Sequence, residues 1–400
     1  MSNDASEVAQ GQPFEENDGR ANNAETFPAE KRSIKKESLA NRSITAELET
    51  DASIGNPPMK TSVHSETAVT ESLLQDASIA PGQVATPVRD GRPATLPLPR
   101  SVTGRIVWRY AVPIIVIHLL ALAAFVPWLF SWTGVVLCGV GTYVYGGLGI
   151  NIAYHRLLTH RSLRCPLWLE RFFVVVALCC LEDSPGSWVA THRLHHNDSD
   201  EIPDPHSPLV NFLWAHMGWL MVENRELRCY SAYERYARDV LRDPFYLRLQ
   251  RSFLQVWIYI AHAVAYFLAG WAWVWFTGGD ALAATQFGLS VLVWGVILRT
   301  IFVWHITWSV NSVTHLFGYR SYETGDNSRN NWVVALLANG EGWHNNHHVD
   351  PASACNMHRW WEFDSIWVVI RALEMVGLAT EVVRPRHERR QSTGNQRTSA

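Results

Sequence analysis

Past residue 100 the chain alternates long apolar runs with polar stretches, and the apolar runs come in pairs. Residues 112–130 are apolar apart from Pro113, His118 and Pro127, and 135–152 follow after only Ser131-Trp132-Thr133-Gly134. Residues 253–276 and 283–308 repeat the arrangement around Thr277-Gly278-Gly279-Asp280. A helix needs about 20 apolar residues to cross a hydrocarbon core of about 30 Å. The runs therefore predict four transmembrane helices in two hairpins with very short turns. Residues 167–181 are apolar too, but fewer, and include Glu170 and Arg171. A helix on the membrane surface or in a core suits them better than a fifth span.

Basic residues orient the hairpins. Arg100, Arg105 and Arg109 precede the first span, and Arg156, Arg161, Arg164 and Arg171 follow the second. Arg242, Arg248 and Arg251 precede the third, Arg320, Arg329 and Arg359 follow the fourth, and neither tight turn holds a Lys or Arg. Basic flanks stay on the cytoplasmic side. Both termini and residues 153–252 are thus expected in the cytoplasm, as in a multi-pass protein of the cell inner membrane.

The polar stretches carry the chemistry. Residues 340–348 read Gly-Glu-Gly-Trp-His-Asn-Asn-His-His, with His344, His347 and His348 at i, i+3 and i+4. On a helix that spacing puts three imidazoles on one face. The pattern recurs at His192, His195 and His196, and His155 and His160 form a further pair. Positions five apart on a regular helix point about 140° away from each other. That pair can share an ion only if the helix ends or widens between them. One ion rarely takes more than about four to six protein ligands, so eight histidines imply two ions. An all-nitrogen set suits Zn, Cu, Fe or Ni. A carboxylate-built dimetal site in a soluble bundle would need two Glu-x-x-His repeats, and only Glu341 to His344 has that spacing.

Composition adds a boundary. All 19 Trp and all 12 Tyr lie beyond residue 100, while residues 1–100 hold 15 acidic against 10 basic side chains. Such a segment cannot bury enough apolar surface to offset its ordering entropy. The expected organisation is a disordered acidic tail over 1–100, a membrane domain over 101–384, and a flexible tail over 385–400. The net charge of −3 comes with no basic stripe for nucleic acid, and the six cysteines form no C-x-x-C pair. Buried reduced thiols are the expected state.

The segment His155 to His160, then Trp188 to His196, Asn311 to His315 and Gly340 to His348, together resemble the signature of the membrane fatty acid desaturases. Asp204-Pro205-His206, His216-Met217-Gly218-Trp219 and Gly318-Tyr319-Arg320 extend the resemblance, which covers about residues 105–380. The branch is similar to the bacterial acyl-CoA (stearoyl-CoA, Δ9-type) desaturases. The resemblance implies an all-α integral membrane protein with four transmembrane helices and a cytoplasmic helical cap holding a histidine-rich dimetal site. It implies two Fe ions held by nine histidines, so that His315 joins the eight and Asn311 holds a water on one iron. It also implies O2 as co-substrate and a cis double bond made in a saturated acyl chain, carried as acyl-CoA or linked to lipid. Two electrons would come from a separate ferredoxin, rubredoxin or cytochrome b5 with its reductase.

An alkyl chain has no polar handle, so an apolar tunnel must set its position. The tunnel is expected between the second and fourth spans, lined by Gly147, Trp304, Thr307 and Trp308. Asp204 is a candidate acceptor for a ligand's free N–H, alongside Asp198 and Asp200; Glu341, Asn345 and Asp183 are others. Arg156 and Arg193 are candidates for an anionic head group or for interfacial anchoring. His118, His262 and His305 fall inside spans and stay off the ligand set. Two rival readings are a histidine-box hydroxylase or oxygenase, which would insert oxygen, and a metal transporter, which would place ligands near the bilayer midplane.

Overall fold

The computed structural model describes residues 88–89, 92–93, 95–386 and 388–389. The acidic tail and the C-terminal tail expected from composition lie for the most part outside the described residues. Residues 95–100 are an exception: Leu96 N–H bonds Leu209 O at 2.9 Å, and Pro99 is buried.

Four helices are long and apolar enough to cross a membrane: Trp108–Phe125, Trp132–Thr159, Leu254–Phe276 and Ala281–Ser312. The first starts and ends earlier than its apolar run. Val126 is extended ahead of Pro127, because a proline disfavours helical backbone in the residue before it. The second and fourth helices are capped where they start. Ser131 accepts from Gly134 N–H, and Asp280 accepts from Ala283 N–H, which satisfies free donors of the first turn.

The spans are not equivalent. In the second and fourth, 44% and 56% of the apolar window is buried inside the protein, against 22% and 11% in the first and third. The inner pair is also longer, 28 and 32 residues. At about 1.5 Å per residue these helices outreach a hydrocarbon core of about 30 Å. They therefore project into the cap and carry side chains beyond the membrane.

Leu167–Leu178 forms a 12-residue helix, too short to span, with Leu169, Phe173, Val174, Ala177 and Leu178 buried. It lies against the second span at Gly149, where a Cβ would sit 2.7 Å from the Ala177 backbone. Only glycine permits that approach. The cap adds the helices Pro185–Asn197, Trp332–Leu337, His344–Val349 and Ser365–Met375. Among residues 101–386 the one two-stranded sheet is the antiparallel pair Val102–Ile106 and Val222–Asn224, with isolated bridges at Arg164–Thr380, Tyr319–Asn330 and Asn330–Trp343.

Candidate metal centre

The pair His155 and His160 sets the site's first condition. Residues Tyr145–Thr159 of the second span form a π-helix, and His160 N–H bonds His155 O at 3.1 Å. A π turn closes i→i+5 bonds, so it brings residues five apart to within about 50° of each other around the axis. The helix widens just where the two imidazoles must converge.

The other ligands come from shorter helices. Pro185 opens Pro185–Asn197 at its first turn, where the missing N–H costs nothing; the helix presents His192, His195 and His196. His344–Val349 presents His344, His347 and His348. His315 follows the end of the fourth span at Ser312.

Nine histidines fall into two groups. His155, His160, His192, His196 and His347 each offer a nitrogen, all within 4.8 Å of one another, and His195, His315, His344 and His348 do the same. Within the first group His155 Nε2 is 3.1 Å from His347 Nε2, which is 2.9 Å from His196 Nε2. Within the second, His344 Nε2 lies 3.1 Å from His315 Nε2 and 3.0 Å from His348 Nε2. Each H-x-x-H-H motif is split between the groups. Residues i and i+4 share one, and residue i+3 crosses to the other: His192 and His196 against His195, His344 and His348 against His347.

Four carboxylates aim the rings. Nδ1 of His155 meets Glu341 at 3.0 Å, of His195 Asp204 at 3.1 Å, of His315 Asp200 at 2.8 Å, and of His348 Asp326 at 2.6 Å. A carboxylate on Nδ1 fixes the tautomer and turns Nε2 toward the ion. Burial pushes His160, His192, His195, His196, His344 and His347 well below the ordinary imidazole range, and neighbouring histidines add to it. These rings are neutral, the form that binds metal. His315 goes the other way: burial lowers it, but the Asp200 carboxylate outweighs burial and pushes it up to about 9. Burial would raise Glu341, yet His155 and Arg156 hold it at about 2.

The residues fit a pair of ions. His160 Nε2 and His195 Nε2 are buried without a hydrogen-bond partner while facing other imidazoles. Uncompensated, such atoms are costly; a metal would satisfy them. His206 packs beside His195, ring centres 4.4 Å apart, with its own Nδ1 buried and unpartnered.

Several expected roles change. Asn345 touches no ligand; it accepts from the backbone of Ser321 and Tyr322 and so holds the loop carrying Asp326. Arg156 does not face a head group: it is buried against Glu341, Asp364 and Ala354 O. Arg193 clasps Leu158 O, Thr159 O, Tyr236 O and Asp239 instead. The Asp198 carboxylate accepts from its neighbour Asn197 rather than from a histidine. Asp326 carried no sequence signal, lying 22 residues before its histidine.

Two cavities share wall residues beside the histidines. The larger lies between the first, third and fourth spans, and Trp304, Thr307 and Trp308 line it. The smaller runs between the second and fourth spans along Thr142, Gly146, Ile150, Val303 and Ile306. Trp188, His192, Thr307 and Asn311 line both. Gly147 does not face this space. A Cβ there would lie 2.9 Å from Ile366 Cδ1, whereas its neighbour Gly146 is on the wall. Arg109 and Tyr110 also line the larger cavity, and the guanidinium groups of Arg109 and Arg228 lie over the Tyr110 ring, 4.9 and 4.1 Å from its centre.

Residues 126–380 match the family model described as fatty acid desaturase. The chain belongs to the fatty acid desaturase family. It is 40% identical over 282 residues, 70% of this chain and 96% of the relative, to an sn-1 stearoyl-lipid 9-desaturase of Anabaena variabilis. It is 39% identical over 269 residues, 67% and 87% respectively, to an sn-2 palmitoyl-lipid 9-desaturase of a Nostoc species. An acyl-CoA 5-desaturase of Anemone leveillei is 40% identical over 281 residues, 70% of this chain and 81% of the relative. Membership in this family makes the chain a membrane oxidoreductase of fatty acyl chains.

Proposed function

We propose that this desaturase makes a cis double bond, at or near carbon nine, in a saturated acyl chain, using O2, two irons and electrons from a separate donor protein. The observation that carries the reading is that the two cavities share Trp188, His192, Thr307 and Asn311 as wall residues, beside both histidine groups. Joined, they would form a passage with Arg109 on the wall of one part and apolar residues of the inner spans along the other, which fits a head group followed by an alkyl chain.

His155, His160, His192, His196 and His347 would hold one iron, and His195, His315, His344 and His348 the other, with Asn311 holding a water on it. The irons would supply the oxidising power that breaks unactivated C–H bonds. The chain's own residues do the rest. Trp188, Thr307 and Asn311 fix which carbons stand beside the histidines, and the apolar wall keeps bulk water out. The basic flanks support a cap on the cytoplasmic side, where a soluble electron donor would reach it. Relatives named for lipid-linked and for CoA-linked substrates both fit this passage, and the inner-membrane setting supplies lipid. The domain runs over residues 101–384.

The test is expression in a desaturase-deficient host with fatty acid profiling by gas chromatography and mass spectrometry. A new product two hydrogens lighter, absent from His347→Ala, supports the reading. A product carrying added oxygen would establish a hydroxylase, and metal uptake by vesicles without any lipid product would establish a transporter.

A further inference from the structure

The turn after helix Leu167–Leu178 is strained on both sides of one acid. Leu181 has φ 57° and Asp183 has φ 84°, left-handed backbone that non-glycine residues adopt only where their surroundings enforce it. Those surroundings are explicit. Arg299 and Trp304 of the fourth span donate to Cys179 O at 3.0 Å and Cys180 O at 2.8 Å. Tyr110 donates to the Asp183 carboxylate at 2.8 Å, and Tyr154 to Asp183 O at 3.1 Å.

What this enforced turn presents is Glu182, on the wall of the larger cavity beside Trp188 and His192. Thr307 Oγ1 lies 2.8 Å from Glu182 Oε1. Thr307 lines both cavities, as does Asn311 one helical turn later. Among the described residues no Lys, Arg or His is ion-paired with Glu182. Burial pushes its carboxyl up to about 8, although Thr307 and Trp188 bonds pull the other way. Around it stand Tyr110, Asp183, His192 and His206 on the cavity wall and Arg109 farther out.

We propose that Glu182 and Thr307 form an acid–alcohol relay that passes protons from the outer cavity to the oxygen reduced at the histidine site. The inference rests on the desaturase reading. Taking two hydrogens from an alkyl chain with one O2 and two donor electrons gives one double bond and two waters only if two protons are also consumed. Glu182 gives its proton to Thr307 Oγ as Thr307 passes its own inward. Glu182 thus supplies one of the two protons, and the carboxylate left behind is reprotonated from water that enters the larger cavity once the product has left it. A protonated acid is the active form, so turnover falls as pH rises through the carboxyl's pKa.

The test pairs turnover with infrared spectroscopy. Glu182→Gln keeps the shape but releases no proton. It should retain metal content, KM and double-bond position while kcat falls by about a hundredfold and O2 leaves as peroxide. Wild-type kcat should fall as pH rises through about 8, and the variant's should not. Thr307→Val should lower kcat to a similar degree with metal content kept, and Thr307→Ser should stay within a few-fold of wild type. In metal-free protein, a carbonyl stretch from a buried carboxylic acid should vanish above the same pH and be missing in Glu182→Gln. A Glu182→Gln protein with wild-type kcat and coupling, or a wild type without that infrared band, overturns the relay. A wild type that makes no unsaturated product defeats the desaturase reading instead.

Discussion

The two histidine groups are built in different ways. The group around His347 is assembled from helices: the π-helical end of the second span, Pro185–Asn197 and His344–Val349. It has a single orienting carboxylate, Glu341, which also pairs with buried Arg156 and bonds Asn356. The group around His344 is aimed by three carboxylates from irregular segments, Asp200, Asp204 and Asp326. The helical group is thus tied to the protein core, and the other to loops. Damage to the first should unsettle the fold, whereas damage to the second should weaken metal binding alone.

The largest contrast comes from Glu341→Gln. It leaves Arg156 with Asp364 as its one remaining carboxylate in an interior site. Removing one of two carboxylate partners from a buried donor costs about 1–3 kcal/mol, so thermal denaturation should show a drop in Tm along with loss of product. Equal Tm values would remove the distinction between the groups. Asp326→Asn should leave Tm near wild type and weaken metal binding by roughly 10–100-fold, read by titrating metal into stripped protein. A smaller, more specific effect is expected in the tunnel. Gly146→Leu narrows the wall of the inner cavity and should shift product toward shorter chains, while Gly147→Leu presses on Ile366 and should change stability rather than chain length. Asn345→Ala should act least, loosening the loop that carries Asp326 and lowering metal affinity only a few-fold.

The same contrast explains what the sequence made legible. Helical spacing is local, so the motifs at 192–196 and 344–348 and the four spans could be read from periodicity. That the helix must end or widen between His155 and His160 followed from angles alone. The split of each motif between two ions could not be read, because it depends on which helix faces which. Asp326 was illegible for a similar reason: its loop is folded onto His348 by Asn345, contacts with no periodic trace. Arg156 misled because a basic residue inside a histidine motif looks the same whether it meets solvent, a phosphate or a buried carboxylate. Gly147 misled by one residue, since adjacent helical positions point about 100° apart.

The assignment with the widest consequences puts His347 and His344 at two separate metal positions. Metal content and Mössbauer spectra of iron-loaded wild type, His347→Ala and His344→Ala test it most directly. The expected result is two irons per chain in the wild type, in two distinguishable environments, with each variant depleting a different one. A single iron in the wild type, or the same signal lost in both variants, would contradict it.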